Sequence, residues 1–367
     1  NAPQGSYNTD IEQYVADRFP RAFAAFVKAQ LRRGTLSSFD LYVHDHSLPQ
    51  AYQLHRREGY TTFYFLQTRR GQLHRNIYVA VKPQSPRYRV VLTDVRGEDR
   101  AANVFCQVRR TGVFTNYWSV RSRQPEPLFV LNSAGGTLKL KGDDWLLFGF
   151  KGAWSRMLLA QQWRRTPLVK EGLDIDLFTH ATSARKIVVA RNVYGDDAKI
   201  ILETFYHKGA RRIIYLGSAG AIADYGIASV VLPNEIVDRH NKSVPFRNNI
   251  AQAYYSELVK SLPVHSQKRH AWAQSVFDET IAVLLGWQAQ SAASVDIEGI
   301  YLARFAARHR DVEMTALFVI SDQTLGEATI EETNAYRVLI DESVDKLVSF
   351  LLPKIVQAKH EDRLRDE

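Results

Sequence analysis

Three stretches of the chain end apolar runs in residues that can do chemistry. In Ile213-Ile214-Tyr215-Leu216-Gly217-Ser218-Ala219-Gly220-Ala221, a hydrophobic strand runs into a small, glycine-bearing turn. Small side chains there let a ligand touch the backbone, and exposed N–H groups can hold an anion or a sugar oxygen. In Ser294-Val295-Asp296-Ile297-Glu298-Gly299, two carboxylates flank an apolar residue at a helix start. In Leu317-Phe318-Val319-Ile320-Ser321-Asp322-Gln323, a buried type of strand ends in Ser-Asp. Taken singly, each also has a plainer reading: a tight structural turn, acids that complement a helix dipole, and a capping or turn aspartate. Two other places carry less. His44 and His46 would share one face of a strand, but no third ligand lies nearby in sequence, so no metal is expected. Cys106 is the single cysteine, which rules out an intramolecular disulfide and a Cys/His zinc cluster. It sits in the alternating run Asn103-Val104-Phe105-Cys106-Gln107-Val108 and is read as a buried strand residue.

The elements that must position these residues follow from the hydrophobic period. Residues 9–33 read as a helix: Thr9 and Glu12 have capping-box spacing, and Ile11, Tyr14, Val15, Phe19, Phe23, Phe26 and Val27 give an apolar face that Pro20 kinks. From Phe39 to Leu131 the period moves towards two, with turn signals at Arg70-Gly71, Lys82-Pro83, Arg96-Gly97, Thr111-Gly112 and Gln124-Pro125. A helix followed by an antiparallel meander makes a smaller α+β domain over residues 1–135, in which no catalytic motif is found. After Asn132-Ser133-Ala134-Gly135-Gly136 the pattern alternates. Strands are expected at 145–150, 186–190, 212–216, 230–233 and 316–320, and helices at 155–163, 196–207, 277–286, 297–307 and 334–357. Such alternation predicts an α/β fold over residues 143–355, a three-layer, mostly parallel or mixed sheet with helices on both faces. Ligands of such sheets sit at the carboxyl ends of strands.

In this order and spacing, the three stretches resemble the superfamily of purine nucleoside phosphorylases, uridine phosphorylases and nucleosidases. Its members show a strand ending Gly-Ser/Thr-Ala/Cys-Gly, then Val-Asp/Glu-Met-Glu, then a strand ending Ser-Asp; here Ile297 stands for the usual Met. Leu146-Leu147-Phe148-Gly149 looks like the family's first strand, and Gly152-Ala153-Trp154-Ser155-Arg156 is similar to the Gly-x-x-x-Arg phosphate loop of the phosphorylase branch. Asn192-Val193-Tyr194-Gly195-Asp196-Asp197 sits where the family has a second glycine turn. The resemblance covers roughly residues 143–355 and leaves the first 135 residues unmatched.

That resemblance implies cleavage of the N-glycosidic bond of a purine nucleoside or nucleotide. The reaction leaves positive charge on the ribose and negative charge on the departing base, so a general acid at the base lowers the barrier. The resemblance makes Asp322, beside Ser321, that acid. It gives the ribose to Glu298, whose carboxylate accepts from two hydroxyls, within a segment that includes Asp296. Ile297 would pack on the sugar and Phe277 stack on the base. Gly217, Ser218, Ala219 and Gly220 would line the phosphate or water side, with Gly152 and Arg156 as phosphate-loop candidates. No cofactor is implied; inorganic phosphate is a candidate co-substrate.

The pattern also departs from the family. Tyr215 stands where a hexameric phosphorylase carries an arginine just before the Gly-Ser turn. No carboxylate lies between Phe148 and Leu159, where the nucleosidase branch keeps an acid that activates water. The nucleophile is therefore open between water and phosphate, and a purine-binding module without turnover is the alternative function. Ser321-Asp322-Gln323-Thr324-Leu325-Gly326-Glu327 also looks like the corresponding loop of AMP nucleosidases, which likewise carry an extra N-terminal domain.

Composition sets the outer bounds. With 367 residues, 45% hydrophobic and 24% charged, the chain suits two ordinary globular domains. No apolar run is long enough to span a bilayer, so no membrane partner is expected. The net charge of +9 comes from scattered arginine pairs such as Arg32-Arg33, Arg109-Arg110 and Arg211-Arg212. Scattered pairs are solvated faces more often than a nucleic-acid stripe, whereas an anionic small substrate gains from the same field. The expected partner is a nucleoside or nucleotide, not nucleic acid, and the expected assembly a homo-oligomer. The start Asn1-Ala2-Pro3 lacks a signal pattern. A cytoplasmic protein is expected, or an exported mature form already cleaved. Residues 359–367 read as a disordered tail.

Overall fold

The computed structural model describes residues 29, 38–44, 48–66, 77–82, 87–93, 95, 101–102, 104–106, 116–120, 136–169, 174–191, 194–238, 240–249, 254–329 and 335–357. The expected helix at 9–33 (save Ala29), His46, the segment 132–135 and the tail from Lys359 lie outside them. The chain divides into two compact units, residues 1–128 with 275–277, and residues 129–274 with 278–367.

The first unit holds a five-stranded sheet in the order β2-β3-β4-β1-β5. Its strands are β1 (Ser38–His44), β2 (Thr62–Leu66), β3 (Ile77–Val81), β4 (Arg87–Leu92) and β5 (Asn116–Val120), with helix α1 at Leu48–Arg57. β2, β3 and β4 form the expected antiparallel meander. β1, however, lies between β4 and β5 and runs parallel to both. A parallel neighbour needs a crossover, and α1 between β1 and β2 supplies one that the period-two pattern did not announce. Period two nonetheless sorts the faces of β1. Leu41 and Val43 are buried on one side, while Tyr42 and His44 turn to the other, where Ala51 of α1 packs with Tyr60, Ala80 and Val91. There Arg89 lies 4.3 Å from the rings of both Tyr42 and Tyr60, and His44 Nε2 lies 3.0 Å from His55 Nε2. His44 is thus part of a core network; among the described residues no group of three potential ligands could hold a metal. Cys106 corrects the reading made of it: residues 104–106 are helical and the cysteine is half-buried. Buried Ala101 and Val104 stand three apart, which is helical spacing.

The second unit is a mixed α/β structure. Its strands are β6 (Trp145–Phe148), β7 (Arg164–Val169), β8 (Ile175–Thr179), β9 (Lys186–Ala190), β10 (Arg212–Ala221), β11 (Val230–Val237), β12 (Ser243–Pro245), β13 (Val264–Trp272), β14 (Ala292–Asp296) and β15 (Glu313–Gln323). Its helices are α2 (Lys151–Ala160), α3 (Asp197–His207), α4 (Tyr255–Ser261), α5 (Ile281–Ala289), α6 (Gly299–Arg308) and α7 (Arg337–Gln357). The path runs β12-β11-β13-β14-β10-β6-β9-β8-β7, and β15 pairs with both β10 and β11. The strands β10, β15, β11, β13 and β14 therefore close a ring of pairings on themselves.

Alternation along the central strands feeds two cores. Leu146, Phe148, Val188, Ala190, Ile213, Tyr215, Met314, Ala316 and Phe318 pack with Ala198, Ile201, Leu202 and Phe205 of α3 and Ile300, Ala303 and Phe305 of α6. Trp145, Leu147, Ile187, Val189, Ile214, Leu216, Leu317 and Val319 face Trp154 and Leu158 of α2 and the stripe Ile340, Val344, Leu347, Leu351 and Ile355 of α7. Helix spacing of three and four residues on α3 and α7 matches period two on the strands, so helices cover both faces. Each such large side chain, fully buried, contributes roughly 1.5–3 kcal/mol before entropy is charged against it. Among the described residues no helix is long and apolar enough to cross a membrane.

Candidate active site

The site grows from the far end of β10. The sequence suggested a glycine-bearing turn after Leu216, but residues 217–221 continue the strand. Gly217, Ser218 and Ala219 stand in register with Phe318, Val319 and Ile320 of β15, and a register shift follows Ala219. Small residues suit this stretch because its neighbours crowd it. A Cβ on Gly217 would collide with the Tyr215 ring, and one on Gly220 would lie 2.5 Å from Thr324 Cγ2 and 3.0 Å from Asp322 Oδ2. Ser218 alone of the stretch is exposed. Gly220 is flanked by Asp322 of β15 on one side and by Val295 of β14 on the other. The three stretches singled out in the sequence thus meet at one position.

Asp322 is buried, and the Ser321 hydroxyl donates to its Oδ1 at 2.7 Å. Asp296 ends β14, and both its oxygens accept from the Gly299 N–H, at 2.9 and 3.0 Å, where α6 begins. This is a side-chain cap on an otherwise unpaired helix donor. Glu298 is buried in the turn between β14 and α6. Its Oε1 accepts from the Gly195 N–H at 3.0 Å and its Oε2 from the Tyr215 hydroxyl at 3.3 Å. Burial pushes the Glu298 carboxyl well above its usual range, the nearby Asp296 charge adds to this, and the two donors offset part of it. Tyr215 is raised for the same first reason, burial, and then by Glu298. Each Glu298 oxygen keeps a second lone pair for a ligand hydroxyl. Ile297 is half-buried and packs at the edge of a small cluster with Val295 and Leu284.

Two predicted residues differ from the expectation in their local structure. Phe277 is buried in a single 3-10 turn, Val276–Asp278, and residues 275–277 group with the first unit. The sequence had placed it in the following helix, which starts only at Ile281, capped by the Thr280 hydroxyl. Arg156 is exposed on α2, where its guanidinium is held by Asp345 of α7 at 2.7 Å. Gly152 lies one turn before it on the same helix, so the expected phosphate loop is helix from Lys151 onward.

Other residues of the site were not foreseen. Glu279 stands just before the α5 cap, near enough to Asp322, Asp278 and Asp296 for their charges to raise its carboxyl, after burial, well above the usual range. Its partial exposure lets water moderate that effect. His270 of β13 is wholly buried, with Nδ1 2.7 Å from Ser294 Oγ and Nε2 2.9 Å from Asp296 Oδ1. Lys151 begins α2 at the end of β6, buried between Asp174 at 2.5 Å and Asp176 at 2.6 Å, and Asp176 also takes Arg165 at 2.7 Å. β13 escaped notice because its sequence, Val264-His265-Ser266-Gln267-Lys268-Arg269-His270-Ala271-Trp272, is mostly polar. A lysine between Gly149 and Gly152 offered only a single-residue signal.

Residues 156–351, more than half of the chain, match the phosphorylase superfamily, and the chain belongs to that family. Among solved structures it is similar to uridine phosphorylase from Vibrio fischeri, with 12% identity over 65% of this chain and 98% of the other and a TM-score of 0.49. It is also similar to the 5′-methylthioadenosine/S-adenosyl homocysteine nucleosidase of Campylobacter jejuni, with 15% identity over 59% and 99% and a TM-score of 0.47. A third is Helicobacter pylori MTAN, with 13% identity over 59% and 99% and a TM-score of 0.47. No curated protein sequence matches the chain.

Proposed function

We propose that the second unit cleaves the N-glycosidic bond of a purine nucleoside or nucleotide, with water as the attacking group. The observation that carries this reading is the meeting of Asp322 and the end of β14 at Gly220, with Asp296 and Glu298 in the turn that follows β14. Such an arrangement suits a bond whose rupture leaves a cationic sugar and an anionic base. Asp322 donates a proton to the leaving base, oriented by the Ser321 hydroxyl. Glu298 accepts from the sugar hydroxyls, and the Asp296 carboxylate stabilises positive charge developing on the ribose.

Water is favoured over phosphate by charge. Among the described residues, Lys151 and Arg165 are matched by Asp174 and Asp176, and Arg156 by Asp345. A phosphate dianion brought beside Asp296 would meet like charge, and these three cations are already matched by carboxylates. The deciding experiment is a panel of nucleosides and nucleotides assayed for free base, with and without inorganic phosphate. Base release independent of phosphate is the expected result. Release that requires phosphate overturns the choice of nucleophile, and tight binding without release replaces the enzyme by a binding module.

A further inference from the structure

We propose that His270 is a positioning residue, which sets the sugar-holding carboxyl of Glu298 by gripping the turn before it. The inference rests on the reading of Glu298 given above, and its geometry is independent of that reading. On the paired strands β13 and β14, His270 stands opposite Ser294 and Trp272 opposite Asp296. Alternation therefore puts His270 and Trp272 on one side of β13, and Ser294 and Asp296 on one side of β14.

Both β13 side chains grip the segment that follows β14. The His270 Nε2 atom meets Asp296 Oδ1 at 2.9 Å, and the Trp272 indole N–H donates to the Ile297 carbonyl at 2.9 Å. Asp296 in turn takes the Gly299 N–H on both oxygens. Residues 296, 297 and 299 are thus each held, and Glu298 between them has its backbone direction fixed. Only then do its two oxygens reach Gly195 and Tyr215. The network also fixes the imidazole. A carboxylate only accepts, so Nε2 carries a proton and donates to Asp296, while Nδ1 lies 2.7 Å from the Ser294 hydroxyl. With His270 wholly buried, neither contact is exchanged for water.

A purely structural histidine would account for one further contact, its ring stacked on Phe318 at 4.1 Å with planes 20° apart. Two variants separate the roles. H270F keeps an aromatic ring against Phe318 and loses both hydrogen bonds. H270Q loses the ring and keeps a donor near the Nε2 position. Thermal unfolding establishes that each is folded. Hydrogen–deuterium exchange is then read on the peptide containing Gly195, whose N–H reports the reach of Glu298 without any need for turnover. Exchange there is expected to be about tenfold faster in H270F, with H270Q close to wild type. Alongside, binding of a purine ribonucleoside is compared with its 2′-deoxy analogue, and the preference for the ribonucleoside is expected to fall about tenfold in H270F only. Wild-type exchange at Gly195 in a folded H270F, or an equal rise in both variants, overturns the positioning role. A wild-type protein that does not prefer the ribonucleoside overturns the sugar reading of Glu298, while exchange at Gly195 still decides for or against His270. If H270F does not fold, H270L, which also loses both hydrogen bonds, is read in its place by the same criteria.

Discussion

The buried carboxyl of Glu298 makes the stability of the second unit depend on pH, through a contribution that Glu298→Gln removes. In the folded protein burial, and after it the charge of Asp296, raise this carboxyl well above the reference value of 4.5. Between 4.5 and the raised folded value, the folded protein keeps a proton that the unfolded chain has released. Stability is then full below 4.5 and falls as pH rises, by about 1.4 kcal/mol per pH unit for one such group, until the folded carboxyl also ionises. Glu279, raised in the same direction, adds to the slope, though its partial exposure weakens its share. Glutamine cannot ionise. Its carbonyl can still accept from the Gly195 N–H, and its amide can donate to the Tyr215 oxygen, so the contacts of the protonated carboxyl are kept with one donor reversed. E298Q should match the wild type near pH 4.5 and gain on it by up to about 1.4 kcal/mol for each unit above. Urea midpoints at pH 5, 6, 7 and 8, with unchanged slopes in denaturant, measure this directly. Parallel curves for the two proteins, or a variant that loses ground as pH rises, would refute a buried, proton-holding Glu298.

The remaining expectations concern the reaction and its surroundings. Asp322→Asn should lower base release roughly 100-fold or more, the range for losing an acid–base group, with the fold retained because Asn still accepts from Ser321; full activity on a purine substrate would remove Asp322 from the mechanism. A substrate with a chemically activated leaving group should be partly rescued in that variant, since it needs less protonation. Gly220→Ala places a Cβ 2.5 Å from Thr324 and 3.0 Å from Asp322, and should cost about 1–3 kcal/mol of stability together with activity; a silent alanine would show that this crowding relaxes freely. Arg156→Ala should leave base release and its independence of phosphate unchanged and cost at most about 1 kcal/mol, the worth of an exposed ion pair with Asp345; a new phosphate requirement or a large loss of rate would return Arg156 to the site.

What the sequence revealed, and what it hid, follows from the range of the interactions involved. Strand β9 was legible to the residue and the start of α3 to within one, because alternation and three-four spacing are local signals that burial on both faces reinforces. The glycines after Leu216 were read as a turn because small residues serve turns and crowded strands alike. What decides between them is the Tyr215 ring beneath Gly217 and Asp322 beside Gly220, and Asp322 is a hundred residues away in the chain. In the first unit the alternating run of β1 was visible, but nothing local says that β4 and β5 run parallel to it.

The same distinction divides the carboxylates. Asp296, Glu298 and Asp322 could be chosen from the sequence because each closes an apolar run. Glu279 and His270 could not, since one precedes an α5 helix that begins later than its pattern suggested and the other lies in a polar strand. Yet these two change the chemistry of the first three. An isolated cluster of buried carboxylates would be held apart by its own repulsion. Here Asp296 is met by a histidine and a helix N–H, Asp322 by a hydroxyl, and Glu298 by a tyrosine and a backbone N–H, while burial keeps protons on Glu298 and Glu279. Side-chain and backbone donors thus meet these carboxyls where arginines and lysines would in a site built for an anion. Under the proposed function, a pocket so arranged favours a ligand that brings hydroxyls and developing positive charge, so the same residues bear on both nucleophile and substrate.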